Sequence, residues 1–263
     1  MVSLFYIFAL LCLYSYFIYP LVLLILPSRK TVKTDINTSK DMPSLSLIIT
    51  VHNEQGRIRE KLDSTLQIDY PPDLLEIIVA SDFSSDETDA IVQSYAQRGV
   101  ILVRSDARKG KEYAQACAIR KSKGEILVFS DVATEIPVDA LQKLAERFLD
   151  PGIGALSSHD RFISNDGGIA GEGAYVRYEL WLRGLESVHA GLVGLSGSFF
   201  AARRSVCEPW DIESPSDFNT ALNCAKHGMI AVICPDVVGI YKDVDDSSLE
   251  YRRKVRTVIR GIT

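Results

Sequence analysis

No charged side chain occurs in the first 28 residues of this 263-residue chain, and Arg29 is the first to appear. A start of that kind excludes an ordinary soluble N-terminal element. There is no basic excess either: 29 Lys and Arg stand against 34 Asp and Glu, for a net charge of -5. Nucleic-acid binding, which needs a basic domain or stripe, is therefore not indicated. The five cysteines (Cys12, Cys117, Cys207, Cys224, Cys234) contain no C-x-x-C pair and no metal-ligand spacing. They read as small core or membrane residues of a reducing compartment. The loop after the first apolar strand is HNEQGR, which lacks the G-x-G-x-x-G of a dinucleotide site. GLSGS (194–198) ends in serine, so it is not the G-x-S-x-G elbow of a hydrolase. Internal repeats and low-complexity tracts are also missing.

What is present begins with VSLFYIFALLCLYSYFIYPLVLLIL (2–26), long enough to cross a hydrocarbon core even with Pro20 inside it. The run exceeds a signal-peptide h-region, has no basic n-region and ends in LPSRK without a small-x-small cleavage site. Residues 1–27 are expected to be a transmembrane anchor, followed by a polar linker at 28–43. Arg29, Lys30 and Lys33 follow the span and nothing basic precedes it. Positive flanks stay cytoplasmic, which puts the main domain on that side.

From residue 44 onward strand-like and helix-like stretches alternate. Strands are expected at 44–51, 74–80, 100–103 and 125–130, with helices at 54–66, 86–97, 111–121 and 138–149. Continuous apolar strands between helices mean an α/β domain, 44–243, with a mostly parallel central sheet covered on both faces. Function in such sheets gathers beyond the carboxyl ends of the strands. Those ends carry TVHNE (50–54), SDFSSD (81–86) and SDVAT (130–134), all acidic and small-polar. Such loops suit a ribose, a base edge or a metal–phosphate ion. Residues 244–263 form a basic amphipathic pattern, suited to an anionic membrane surface or a solvated face.

Seven segments in order resemble the family 2 glycosyltransferases of GT-A fold, in their polysaccharide-type branch. They are ITVHNE (49–54), IIVASDFSSDET (77–88), RKGKEYAQACAIRKSKGEILVFSDVAT (108–134), EGAYVRYELWLRGLES (172–187), GLSGSFFAARR (194–204), PSDF (215–218) and RRKVR (252–256). The resemblance implies an inverting transfer from a nucleotide-sugar donor, UDP-linked in the first instance, to a glycan or lipid-linked acceptor at the membrane. Thr50, His52, Glu54 and Asp82 would line the nucleotide wall. Ser81 and Phe83 replace the first acid and the glycine of the family's D-D-G-S turn. Lys111, at a helix start after a glycine, would favour a phosphate.

Asp131 matches the first acid of the D-x-D motif and would hold a divalent metal, Mg or Mn, although Ala133 replaces the second acid. Asp217 would be the base that deprotonates the acceptor, with Ser216 in the place of an acid; a helix cap is the other reading of this position. Arg253 and Arg256 occupy two places of the Q-x-x-R-W element and would reach the donor diphosphate, with Thr257 where tryptophan is usual. Glu172, Tyr175, Tyr178 and Glu179 share a helix face, which suits either a sugar wall or plain packing. The changes at Ser81, Ala133, Ser216 and Thr257 leave a second function open, a catalytically impaired nucleotide-sugar-binding or scaffold subunit.

Overall fold

The computed structural model describes residues 2–29, 42–163, 169–170 and 174–242. The apolar start is helical throughout: α1 (Val2–Leu13) runs through a π-helical turn (Tyr14–Ile18) into α2 (Tyr19–Ile25), with Pro20 at the start of α2. Among the described residues no single helix is long and apolar enough to cross a membrane. Large apolar side chains stay exposed along these helices, among them Phe5, Phe8, Phe17, Leu21 and Ile25.

The domain is built on period-two alternation. Leu45, Leu47, Ile49 and Val51 of β1 (Leu45–Val51) enter one core, and Ile48 the other. In β4 (Ile126–Asp131), Ile126 and Val128 divide in the same way from Leu127 and Phe129. A strand with both neighbours apolar needs cover on both faces. Helices α3 (Ile58–Thr65), α4 (Thr88–Gln93) and α6 (Ala140–Arg147) supply one cover. Helices α5 (Lys111–Ile119) and α8 (Ser216–Lys226) supply the other, over the stacked rings of Phe129, Phe200 and Trp210.

With β2 (Leu75–Ser81), β3 (Val100–Arg104), β5 (Thr134–Glu135), β6 (Ile153–Ile163), β7 (Ile169–Ala170), β8 (Phe199–Arg203) and β9 (Ile230–Lys242), the strand order is β3-β2-β1-β4-β8-β6-β9-β5, β7 pairing with β6. The half that holds β1 to β4 is wholly parallel. Antiparallel pairing enters where β8 joins β4. Gly124 lets the turn before β4 press on β1, since a Cβ there would stand 2.5 Å from the Ser46 backbone nitrogen.

One helix links the domain to the N-terminal segment. Helix α7 (Ala174–His189) accepts the Tyr19 hydroxyl on Glu186 at 2.8 Å and donates the Tyr178 hydroxyl to the Tyr16 carbonyl at 3.0 Å. The Tyr16 and Tyr178 rings lie 5.9 Å apart, so Tyr178 packs on the N-terminal helix. Arg29 closes the contact with an ion pair to Asp150 at 3.0 Å. Glu172 and the basic stretch 244–263, with Arg253 and Arg256, lie outside the described residues.

Candidate active site

The parallel register brings three strand ends to one level. Thr50 of β1 is opposite Ala80 of β2 on one side and Asp131 of β4 on the other, while Val51 pairs with Ser81. Residues remote in sequence are thereby set along a single edge. The Thr50 hydroxyl is buried there without a hydrogen-bond partner among the described residues.

The first two loops interlock. Asn53 takes the amide of Ser85 on its Oδ1 at 2.8 Å and gives its own N–H to Ser84 Oγ at 3.2 Å. The Glu54 amide donates to Thr88 Oγ1 at 2.8 Å. His52 Nδ1 donates to the Asp82 carbonyl at 2.8 Å, which fixes its tautomer. Asn53 and Phe83 both adopt positive φ, 54° and 53°. Asparagine tolerates that region, whereas for Phe83 it costs about 1–2 kcal/mol. The Phe83 ring lies under the Arg104 guanidinium, 4.4 Å from its centroid. The Glu54 carboxylate turns toward the start of α3, held by Arg57 through two bonds of 2.9 and 2.8 Å.

Asp82 is buried and accepts the amides of Lys109 at 3.0 Å and Gly110 at 3.1 Å. It thus ties the second of these loops to the start of α5. Gly110 sits there at φ 101°, a conformation that favours glycine.

Lys111 then bridges the end of β4 and the segment that leads into β8. Its Nζ donates to Asp131 Oδ1 and to the Gly197 carbonyl, each at 2.6 Å. Asp131 is held through its backbone as well: its amide donates to the Ser198 carbonyl at 2.9 Å, and its carbonyl accepts Ser130 Oγ at 3.0 Å.

Asp217 lies in the first turn of α8. Pro215 occupies the N-cap position and makes no side-chain hydrogen bond there, so Asp217 is not the N-cap residue itself. Its Oδ1 accepts the following amide of Phe218 at 3.1 Å, and its Oδ2 lies 3.1 Å from where a Cβ on Gly197 would stand. Asp131, Lys111, Gly197 and Asp217 therefore form one continuous wall. The Phe218 ring covers Gly194, and Phe218, Leu222 and Val193 are all more than half exposed.

Three further polar residues support this wall. Asp160 of β6 accepts Ser196 Oγ and Ser158 Oγ, each at 2.7 Å, and burial raises its carboxyl above the ordinary range. Arg183 of α7 donates to Ser157 Oγ at 2.9 Å and to the Gly194 carbonyl at 3.3 Å. Lys61, 4% exposed, donates to Ser130 Oγ at 2.8 Å and to the Thr134 carbonyl. None of the three stands out in the sequence except Lys61, whose spacing puts it on the buried face of α3 with Ile58, Leu62 and Thr65.

For a divalent metal the protein offers the Asp131 carboxylate, one third exposed with one oxygen on Lys111, and alanine where a second acid would stand. No group of three His, Cys, Asp or Glu suited to a metal occurs among the described residues. Mg²⁺ can be held by one or two carboxylates with substrate phosphates and water. This donor set fits a metal that is shared with a bound diphosphate.

Similarity to known proteins covers most of the chain. The chain is 27% identical over 172 residues to the beta-monoglucosyldiacylglycerol synthase of Synechocystis, covering 62% of this chain and 36% of that protein. It is 30% identical over 177 residues to the hyaluronan synthase of Streptococcus pyogenes, covering 63% and 42%. It thus spans less than half the length of either relative. A mannosyltransferase from Pyrobaculum calidifontis, solved with GDP-Man and Mn2+, superimposes with a TM-score of 0.75 at 26% identity, over 96% of this chain and 73% of that one. Residues 46–210, the span that carries nearly all of β1, β2 through β8 and the stretch from Thr50 to Gly197, match the model for Glycosyl transferase family 2, and the chain belongs to that family.

Proposed function

We propose that this chain catalyses inverting transfer of a sugar from a nucleoside diphosphate donor to an acceptor hydroxyl held beside Asp217. The observation that carries the reading is the Lys111 bridge, which joins donor-side Asp131 to the Gly197 backbone against which Asp217 rests. Asp217 takes the proton of the acceptor hydroxyl as its oxygen bonds to the anomeric carbon. The bond from that carbon to the diphosphate oxygen breaks, and the nucleoside diphosphate leaves with the electron pair. Lys111 and the N-terminus of α5 offset the charge of the departing phosphate. A divalent cation bound by Asp131 and the diphosphate would supply further neutralisation there. Thr50, His52, Glu54 and Asp82 form the nucleoside side, and Arg253 and Arg256 are assigned to the diphosphate. The donor is taken as UDP-linked, with GDP-linked sugars as the first comparison because the mannosyltransferase of similar fold holds GDP-Man.

The acceptor is assigned to the membrane surface. Val193, Phe218 and Leu222 give the Asp217 side of the cleft an apolar lip. Arg183 connects that lip to α7, which also holds Tyr16 and Tyr19 of the exposed apolar N-terminal helices. An acceptor with a lipid portion, or a glycan growing at the bilayer, matches this layout. Under the same reading the N-terminal segment is a single-pass anchor and the domain lies on the cytoplasmic side, where its basic flank is retained.

Incubation of the purified protein with UDP- and GDP-sugars, with and without Mn²⁺, tests the reading through release of free nucleoside diphosphate. Asp217→Asn is expected to abolish release while leaving nucleotide affinity within about twofold. Normal turnover in that variant removes Asp217 as the base. Tight nucleotide binding without release in the unmodified protein would favour the scaffold role instead.

A further inference from the structure

We propose that Lys61 is a positioning residue for the donor diphosphate, its buried amino group fixing the turn at 131–134 that presents Asp131 to the cleft. The inference rests on the reading of Asp131 as the donor-site acid.

The position is a core position by every neighbour it has. Ile58, Leu62 and Thr65, on the same face of α3, are all buried to 2% exposure or less. A leucine or methionine would fill the place without the cost of taking an amino group out of water. Instead the lysine reaches from α3 to the turn after β4. It donates to Ser130 Oγ, the last buried side chain of that strand before Asp131, and to the carbonyl of Thr134, where β5 begins. The two contacts lie on either side of the turn.

The consequence for Asp131 runs through Ser130. A hydroxyl that accepts from Lys61 turns its own hydrogen elsewhere, and here it goes to the Asp131 carbonyl at 3.0 Å. Thr134 is also held by Tyr241, whose hydroxyl is 2.9 Å from Thr134 Oγ1. The turn is thereby pinned at both ends, and the Asp131 carboxylate projects from a fixed base. Burial pulls the Lys61 amino group down to about 7 while Asp131 and Glu135 pull the other way, so both acids share its field. Lys111 and Lys61 then divide the work at Asp131. Lys111, a quarter exposed, can leave the carboxylate to meet a phosphate, whereas Lys61 stays in place under the turn.

The test uses the full chain with Mn²⁺ present and compares UDP with UMP, and GDP with GMP, by titration calorimetry. The diphosphate-over-monophosphate affinity ratio isolates the contact that Asp131 and its turn serve. Lys61→Met is expected to lower that ratio at least tenfold, with monophosphate affinity within twofold and a melting temperature equal to or above the parent's. Ser130→Ala is expected to lower the same ratio about threefold. A Lys61→Met protein with an unchanged ratio, or with both nucleotides weakened equally, overturns the proposal. If that variant does not fold, an unchanged ratio in Ser130→Ala overturns it alone. If the unmodified protein binds neither UDP nor GDP, the donor-site reading itself fails, which is a different result.

Discussion

Lys111 Nζ lies 2.6 Å from Asp131 Oδ1, so the cation we assign to the donor site already rests on the acid we assign to it. An arriving diphosphate, or a metal carried with it, therefore competes for a carboxylate that has a partner. Because that ion pair is partly exposed, its loss is expected to cost at most about 1 kcal/mol of stability. Lys111→Met should accordingly leave the melting curve almost unchanged and reduce donor turnover by about 10²–10³, the scale of removing one aligned group that stabilises a leaving charge. Steady-state release of nucleoside diphosphate measures it; turnover within threefold of the parent would remove Lys111 from the donor site.

The metal prediction follows from the same pair. With a single carboxylate and no second acid, Mn²⁺ alone should show no saturable binding at sub-millimolar concentration, and should bind once UDP or GDP is present. Electron paramagnetic titration of Mn²⁺ with and without nucleotide reads this directly. Tight binding to the nucleotide-free protein would mean that the metal sits elsewhere.

Gly197 is the backbone against which Asp217 rests. A methyl group placed there would come 3.1 Å from Asp217 Oδ2, closer than an ordinary contact, so the carboxylate must move by a few tenths of an ångström. Small misplacements of a reacting group cost up to about 10² in rate. Gly197→Ala is expected to lower kcat by about ten- to a hundredfold with nucleotide affinity retained. Equal kcat in the variant would show that Asp217 tolerates displacement and is not the base.

Phe83 takes a left-handed backbone conformation that glycine adopts freely. Phe83→Ala discards the stacking on Arg104 and keeps the backbone cost, whereas Phe83→Gly discards both. The glycine variant should be more stable than the alanine variant by about 1 kcal/mol, an order that denaturant melts of the two proteins will confirm or reverse.

Lys61 gives the stability a pH dependence of known sign. Its amino group is pulled down to about 7 from an ordinary 10.5, so between those values the unfolded chain binds more protons than the folded one. Stability contributed by this group therefore rises with pH from about 7 toward 10.5 and is flat below 7. Relative to Lys61→Met, the parent should gain in urea midpoint between pH 7 and 9. A constant difference would show that the amino group is not shifted.

Much of the first half of the fold was legible because its strands are continuous apolar runs bounded by polar loops. The four expected strands and four expected helices up to residue 149 all appear, each with ends displaced by a few residues. The two longest strands were not legible. β6 (IGALSSHDRFI) carries serines, His159 and Asp160 in its second half, and β9 (IAVICPDVVGIYK) holds Pro235. Their pairing absorbs both irregularities: the register slips between Ser157 and His159, opposite the stretch between Ile233 and Val238 that contains the proline. Asp160 was missed for this reason, since a site residue on an unrecognised strand has no assigned place. Thr50, Asp82, Lys111 and Asp131 were accessible because each lies within one residue of a strand end or starts a helix. The Lys111–Asp131 pairing was not, because contacts between distant loops depend on register.

The reciprocal bonds that stitch residues 53–55 to residues 84–88 have a thermodynamic consequence. Under the proposed function, this shelf, whose amides are already satisfied by its own side chains, needs no ordering when a nucleotide lands on it. The heat-capacity change of donor binding should then match the burial of the ligand and its immediate contacts, without the larger signature of a segment that folds around its guest.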